Sequence, residues 1–123
     1  MSDEIVHIDR RVFSSIRELL IARFSDFIHE FLDSVASNFE SAKSAASEHN
    51  AHAVANAVHS LKSSSASVGF MRMSQIAKTI EAAADSMDNG GADEWASVTA
   101  NLAALEEELQ VVRRILDQEA GKI

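Results

Sequence analysis

The residues of this sequence best suited to carry chemistry are His59 and Lys62, three positions apart in a stretch with helical periodicity. Neutral imidazole is a nucleophile near physiological pH, and the phosphoramidate that it forms with a phosphoryl group is labile enough to be passed on. Side chains three or four positions apart share a helix face, so Lys62, Ser63 and Asn56 all lie beside His59. The ammonium of Lys62 could offset the negative charge of a phosphorylated nitrogen.

The predicted helix turns His59 toward solvent. Residues advance by about 100° per position, which centres the apolar stripe of this helix about 140° away from His59. The stripe consists of Val54, Val58, Leu61, Ser65 and Val68, and Gly69 follows it as a left-handed cap. The face around His59 is small, so a bulky partner could reach the imidazole. From spacing alone, an exposed histidine without any role fits equally well.

Other groups of residues are weaker candidates for a site. Glu48, His49 and His52 are close enough to suggest a metal site, but a clear third ligand is missing and a solvated helix end explains them as well. His52 shares the face of His59 and could compete with it for phosphate. The serines at 63–65 have no aspartate–histidine pair arranged to activate them. No metal site is therefore predicted.

Composition narrows the class of protein. The sequence has no cysteine, which excludes thiolate catalysis, and no glycine-rich phosphate loop, so ATP binding and kinase activity are not supported. A net charge of −8 disfavours nucleic acid and anionic membranes as partners. The apolar runs are too short for a membrane span, and the acidic N-terminus does not resemble a secretory signal. We expect a cytoplasmic protein.

The elements that must position His59 are helices. The sequence has no proline and four glycines, and its apolar residues recur every three or four positions. The spacing predicts helices over 9–20, 22–47, 51–67, 70–88 and 93–118, with breaks at Asn50, at Gly69 and at 89–91, and with Asp9 and Asp93 as caps. We expect one domain over 1–123: an all-α, antiparallel four-helix bundle whose short N-terminal helix covers one end.

The residues around His59 resemble the motif of the histidine-containing phosphotransfer (Hpt) family. The family pattern is a histidine followed by leucine at +2, lysine at +3 and glycine at +10, matched here by Leu61, Lys62 and Gly69. The resemblance continues in the next predicted helix, where apolar residues and Glu81 occur at the family's offsets. It is specific over about 52–84. Many family members have glycine at +4, where this chain has Ser63, whose hydroxyl could hydrogen-bond the phosphoryl group.

The resemblance implies a phosphorelay intermediate in two-component signalling. By resemblance His59 accepts a phosphoryl group from a receiver-domain aspartate and passes it to another, Lys62 supports its charge, and Ser63, Asn56 and Gly69 have supporting roles. The implied partners are response-regulator receiver domains and a hybrid sensor histidine kinase. We expect a monomer without a cofactor, with magnesium on the receiver. The alternative is a non-catalytic helical interaction domain in which His59 is incidental.

Overall fold

The computed structural model describes residues 7–19 and 23–120, and every element defined in these ranges is a helix. The helices are α1 (Arg10–Leu19), α2 (Phe24–Ser47), α3 (Ala51–Val68), α4 (Met71–Asp88) and α5 (Trp95–Ala120). Within these ranges there is no strand, which confirms the all-helical class. The predicted bounds at 20 and 22, and the ends of the predicted domain, lie outside the described residues.

Helix ends follow from individual side chains. Oδ1 of Asp9 accepts hydrogen bonds from the backbone N–H groups of Arg11 (3.1 Å) and Val12 (3.4 Å), as expected of a capping aspartate. Oδ1 of Asn50 accepts from the N–H of Ala53 at 3.1 Å and begins α3. Oδ1 of Asp93 accepts from the N–H of Trp95 at 2.9 Å, so this aspartate precedes α5 and the predicted start at 93 was two residues early.

Each of the four long helices packs mainly against two of the other long helices. Helix α3 packs against α2 and α4, while α5 packs against α4 and α2, and α1 contacts α3. Their facing surfaces bury one set of apolar side chains, which includes Val35, Phe39, Val54, Val58, Leu61, Met73, Ile80, Val98, Leu105, Val112 and Leu116. Across the described ranges, no helix has the length and apolar character needed to cross a membrane.

An aromatic cluster joins α1 to the rest of the chain. The ring centroid of Phe70 lies 6.0 Å from that of Phe13 and 5.6 Å from that of Phe31, which connects α1, the α3–α4 turn and α2. Phe13 and Phe70 are both fully buried. Burial therefore places both side chains in the core.

Candidate functional site

Helix α3 presents His59 to solvent. Its buried side chains are Val54, Ala55, Val58, Leu61, Ser65 and Val68, which is the predicted stripe with Ala55 added. The His59 side chain is 62% exposed, and Asn56 and Ser63 are exposed beside it. His59 is therefore exposed on the side of α3 away from the buried stripe, as predicted. Because Ala55 is also buried, the buried surface extends closer to His59 than the predicted stripe did.

The turn after α3 depends on Gly69. This residue has φ +95°, a left-handed conformation that side chains disfavour, and its carbonyl accepts a hydrogen bond from the N–H of Asp9 at 2.6 Å. A Cβ at this position would lie 2.9 Å from the carbonyl oxygen of Asp9 and 3.2 Å from Cβ of Val12. Gly69 thus ends α3 and leaves room for the backbone at the start of α1. Its contribution to the site is indirect, through the fold.

Small buried residues bring α4 close to α3. Oγ of Ser74 donates a hydrogen bond to the carbonyl of Lys62 at 3.0 Å, and Ala77, one turn further along α4, is fully buried. On the α3 side, Oγ of the buried Ser65 donates to the carbonyl of Leu61 at 2.7 Å, so its hydroxyl is satisfied within the helix. This close contact allows Glu81, one turn beyond Ala77, to reach the exposed face of α3.

The Glu81 carboxylate binds both predicted site residues. Oε2 of Glu81 lies 2.5 Å from Nδ1 of His59, and Oε1 lies 2.6 Å from Nζ of Lys62. An ionised carboxylate can only accept hydrogen bonds, so Nδ1 of His59 carries the proton in this arrangement. The lone pair of the imidazole is then on Nε2. The Glu81 side chain is only 15% exposed, whereas the imidazole that it orients is accessible.

The electrostatics of the site keep Glu81 ionised. Burial raises the pKa of its carboxyl, but the hydrogen bonds from Lys62 and His59, together with their charge, outweigh burial and place the pKa below its ordinary value of 4.5. At neutral pH, Glu81 is therefore an anion held between a lysine and a histidine. This arrangement fixes the tautomer of the imidazole.

Sequence reasoning noted Glu81 only as part of a family resemblance and did not place it against His59. A signal was present: Glu81 follows Ala77 by four positions and precedes Ala84 by three, and both alanines are buried. These spacings place Glu81 at the border of the buried face of α4, where a side chain can reach the neighbouring helix. The partner on that helix could not be identified from one sequence.

The remaining candidates separate in the structure. The ring of His49 stacks on Trp95 with centroids 4.7 Å apart, whereas Nδ1 of His52 lies 3.1 Å from Oδ2 of Asp88. The histidines once grouped with Glu48 are thus directed to different partners. No group of three His, Asp or Glu side chains placed to bind a metal occurs among residues 7–19 and 23–120.

Comparison with known proteins identifies the family. A family model described as the Hpt domain matches residues 26–115, most of the chain, including α3 and α4. The chain belongs to the Hpt domain family. This Hpt domain has a histidine phosphotransfer role in the phosphorelays of two-component signalling.

A solved structure shares the fold of this Hpt domain. The crystal structure of histidine-containing phosphotransfer protein B (HptB) from Pseudomonas aeruginosa PAO1 is similar with a TM-score of 0.84 and 22% sequence identity. The alignment covers 95% of this chain and 96% of that one. Curated protein sequences gave no significant match. The likeness to HptB concerns the fold, and the site residues rest on the geometry above.

Proposed function

We propose that His59 is the phosphoryl acceptor of this Hpt domain, and that it accepts from the aspartyl phosphate of one receiver domain and donates to the aspartate of another. The observation that carries the proposal is the exposed imidazole whose Nδ1 is held by Glu81. This contact leaves Nε2 as the free nitrogen, on the side open to a partner.

The transfer needs no bond-making group other than the imidazole. Nε2 attacks the phosphorus of the acyl phosphate, a P–N bond forms, the P–O bond breaks, and the electron pair leaves on the receiver's carboxylate. The proton stays on Nδ1, where Glu81 faces the positive charge that the ring acquires. In the second transfer, a carboxylate of the other receiver attacks the phosphorus and the P–N bond breaks. The ring leaves as a neutral imidazole because Nδ1 has kept its proton.

Lys62 and its neighbours are proposed to support the phosphoryl group. The ammonium of Lys62 shares the Glu81 carboxylate with His59, which places a cation beside the acceptor. Asn56 and Ser63 are exposed next to His59, and their polar side chains are available to phosphoryl oxygens. Ser63 stands where many family members have glycine, and its hydroxyl is a further donor in this chain.

We also propose that α2 to α5 form an antiparallel four-helix bundle with α1 across one end. Contacts between α3 and α4 support opposite directions, because earlier positions on α3 meet later positions on α4: Lys62 contacts Ser74, His59 contacts Glu81, and His52 contacts Asp88. The contacts of α5 with both α4 and α2 are those of a closed four-helix arrangement.

As a carrier, the chain is proposed to lack kinase activity and to bind no cofactor, with magnesium supplied in the receiver's site. The proposed partners are response-regulator receivers and a hybrid sensor histidine kinase. The net charge of −8 argues against nucleic acid and anionic membranes as partners. We propose a monomer that acts in the cytoplasm.

The test is phosphoryl transfer from a purified receiver. The chain is incubated with a phosphorylated receiver and magnesium, and separately with labelled ATP and magnesium. We expect acid-labile label from the receiver, mapped to His59, and none from ATP alone. Labelling from ATP by the isolated chain would contradict a carrier role, and absence of label from any phosphorylated receiver would favour a docking domain in which His59 is incidental.

A further inference from the structure

A second imidazole–carboxylate pair lies between α3 and α4. Nδ1 of His52 is 3.1 Å from Oδ2 of Asp88. As at His59, the carboxylate can only accept, so the proton lies on Nδ1 and the lone pair on Nε2. The His52 side chain is 69% exposed, slightly more than that of His59.

The two pairs are related by one heptad. His52 precedes His59 by seven residues on α3, and Asp88 follows Glu81 by seven residues on α4. Because the two helices run in opposite directions, the same pairing recurs two turns along the groove between them. Seven residues correspond to a rise of about 10.5 Å along the helix.

The surroundings of the two pairs differ in charge. The position three residues after His52 is Ala55, so the second pair has no counterpart of Lys62. His52 instead lies in the first turn of α3, where the helix dipole favours negative charge. The second site therefore offers an oriented nucleophile with weaker support for a phosphoryl group than the first.

We propose that His52 is a second phosphoryl acceptor, and that its donors are small molecules carrying a phosphoryl group on an amine or carboxylate leaving group. A receiver whose aspartate is seated at His59 holds its phosphoryl group about 10 Å from His52, whereas a small donor has no such constraint. Nε2 forms the P–N bond, and the electron pair of the broken bond departs with the amine or carboxylate. Nδ1 keeps its proton, and Asp88 faces the charge on the ring.

The inference takes its chemistry from the function proposed for His59, so the experiment must separate the two. The His59→Gln variant is incubated with phosphoramidate, and labelled positions are mapped by mass spectrometry at neutral to basic pH. We expect label on His52. Adding Asp88→Asn should slow this labelling by about twofold to fivefold, the effect of an exposed charged pair. Asp88 ends α4, where the dipole disfavours a carboxylate, so asparagine should leave the fold intact.

His29 provides the matched control, since it is an exposed histidine on α2. Adding His29→Gln to His59→Gln should leave the rate at His52 unchanged. Equal labelling of His29 and His52, or a rate at His52 that Asp88→Asn does not alter, would show that exposure alone determines labelling and would overturn the proposal.

A parallel experiment with a phosphorylated receiver as the donor tests whether His52 accepts from small molecules only. His59→Gln incubated with a phosphorylated receiver and magnesium should stay unlabelled, and label on His52 in this arm would overturn the assignment to small donors. The relay itself is tested by His52→Gln, which should accept from the receiver at His59 as the wild type does. If His52→Gln abolished receiver labelling, the proposed function of His59 would fail instead.

Discussion

At His59, a carboxylate on the neighbouring helix determines which nitrogen is free to act as the proposed phosphoryl acceptor. Glu81 holds the imidazole through Nδ1 and the Lys62 ammonium through its other oxygen. A phosphoryl group on Nε2 would add negative charge near this carboxylate, and Lys62 is the cation placed to reduce the repulsion. The proposed site is therefore a set of three side chains in contact, and the proposal gives each a different role.

Replacement of His59 by glutamine should abolish transfer from a phosphorylated receiver while the fold remains intact. The side chain is exposed and opposite the buried stripe, so we expect a change in the free energy of unfolding of no more than about 0.5 kcal/mol. Transfer is measured with labelled receiver, and stability by denaturant unfolding. His29→Gln is the control and should transfer normally. Full receiver-dependent labelling of His59→Gln would show that another residue is the acceptor.

Lys62→Ala should slow transfer or shorten the lifetime of phosphohistidine without abolishing labelling. A partly exposed charge contributes about 0.2 to 1 kcal/mol, which corresponds to a change of a few-fold. Added salt should narrow the difference from wild type, because screening weakens the interaction. Lys78→Ala, at an exposed position on α4, is the control. Wild-type rates and lifetime for Lys62→Ala at low salt would mean that the ammonium does not act on the phosphoryl group.

Glu81 should give the chain a pH-dependent stability. Its pKa in the folded state lies below the ordinary 4.5, since the hydrogen bonds from Lys62 and His59 outweigh its burial. A lowered pKa stabilises the folded state above the ordinary value, and this contribution is lost as pH falls through the folded pKa. Unfolding free energies of wild type and Glu81→Gln should therefore converge as the pH falls from 4.5 through the lowered folded-state pKa of Glu81. A difference that stays constant from pH 6 to pH 3 would contradict this assignment.

At the scale of elements, the α3–α4 turn connects the site to α1. Gly69 allows the chain to turn between α3 and α4, so that Glu81 on α4 contacts His59 on α3. The carbonyl of Gly69 also accepts the hydrogen bond from the N–H of Asp9 at the start of α1. The predicted break at Gly69 followed from its sequence position after an apolar stripe. The contact with α1 did not, because nothing local indicates which distant backbone approaches a glycine.

Gly69→Ala should destabilise the fold more than Gly90→Ala. Both glycines have positive φ, so alanine costs about 1 kcal/mol or more at either position. A Cβ at Gly90 meets nothing within 4 Å, whereas at Gly69 it would lie 2.9 Å from the Asp9 carbonyl oxygen and displace α1. Thermal or denaturant unfolding measures the difference. Equal losses for the two variants would show that α1 moves aside without cost.

The buried face of α3 could be predicted from sequence because it depends on a local period. The same period cannot fix the register between helices, which is set by packing along their whole length. His59 was therefore identified without its partner Glu81. Likewise, the sequence did not predict that Glu108 and Glu119 of α5 are buried, because their partners lie far away in the chain.

At the scale of the whole molecule, α5 holds the N-terminal region through these buried carboxylates. Glu119 pairs with Arg10 and Arg17 of α1. Oε2 of Glu108 lies 2.6 Å from Nδ1 of His7, and its other oxygen lies 3.6 Å from Nε of Arg72. Buried carboxylates of this kind are stable only with their cationic partners. The position of α1 is thus specified by charge as well as by the Phe13–Phe70 contact.

Glu119→Gln should lower the free energy of unfolding by about 1 to 3 kcal/mol, because two partly buried guanidinium groups lose their charged acceptor. Glu40→Gln is the control: its pair with Lys43 is exposed, and we expect a change within about 0.5 kcal/mol. Phosphoryl transfer by Glu119→Gln should stay normal where the chain is folded. A stability equal to wild type would mean that the pairs on α1 do not hold it in place.

The stacking of His49 on Trp95 gives the molecule an optical reporter. Trp95 is the only tryptophan of the chain, and its ring stacks on the imidazole of His49 with centroids 4.7 Å apart, where the α2–α3 turn meets the start of α5. Its fluorescence therefore originates from one defined point, and separation of the two rings would change the emission. Binding of a receiver to the His59 face could be followed with a fluorescent label on the receiver. In the same experiment, Trp95 emission would report separately whether His49 and Trp95 remain stacked.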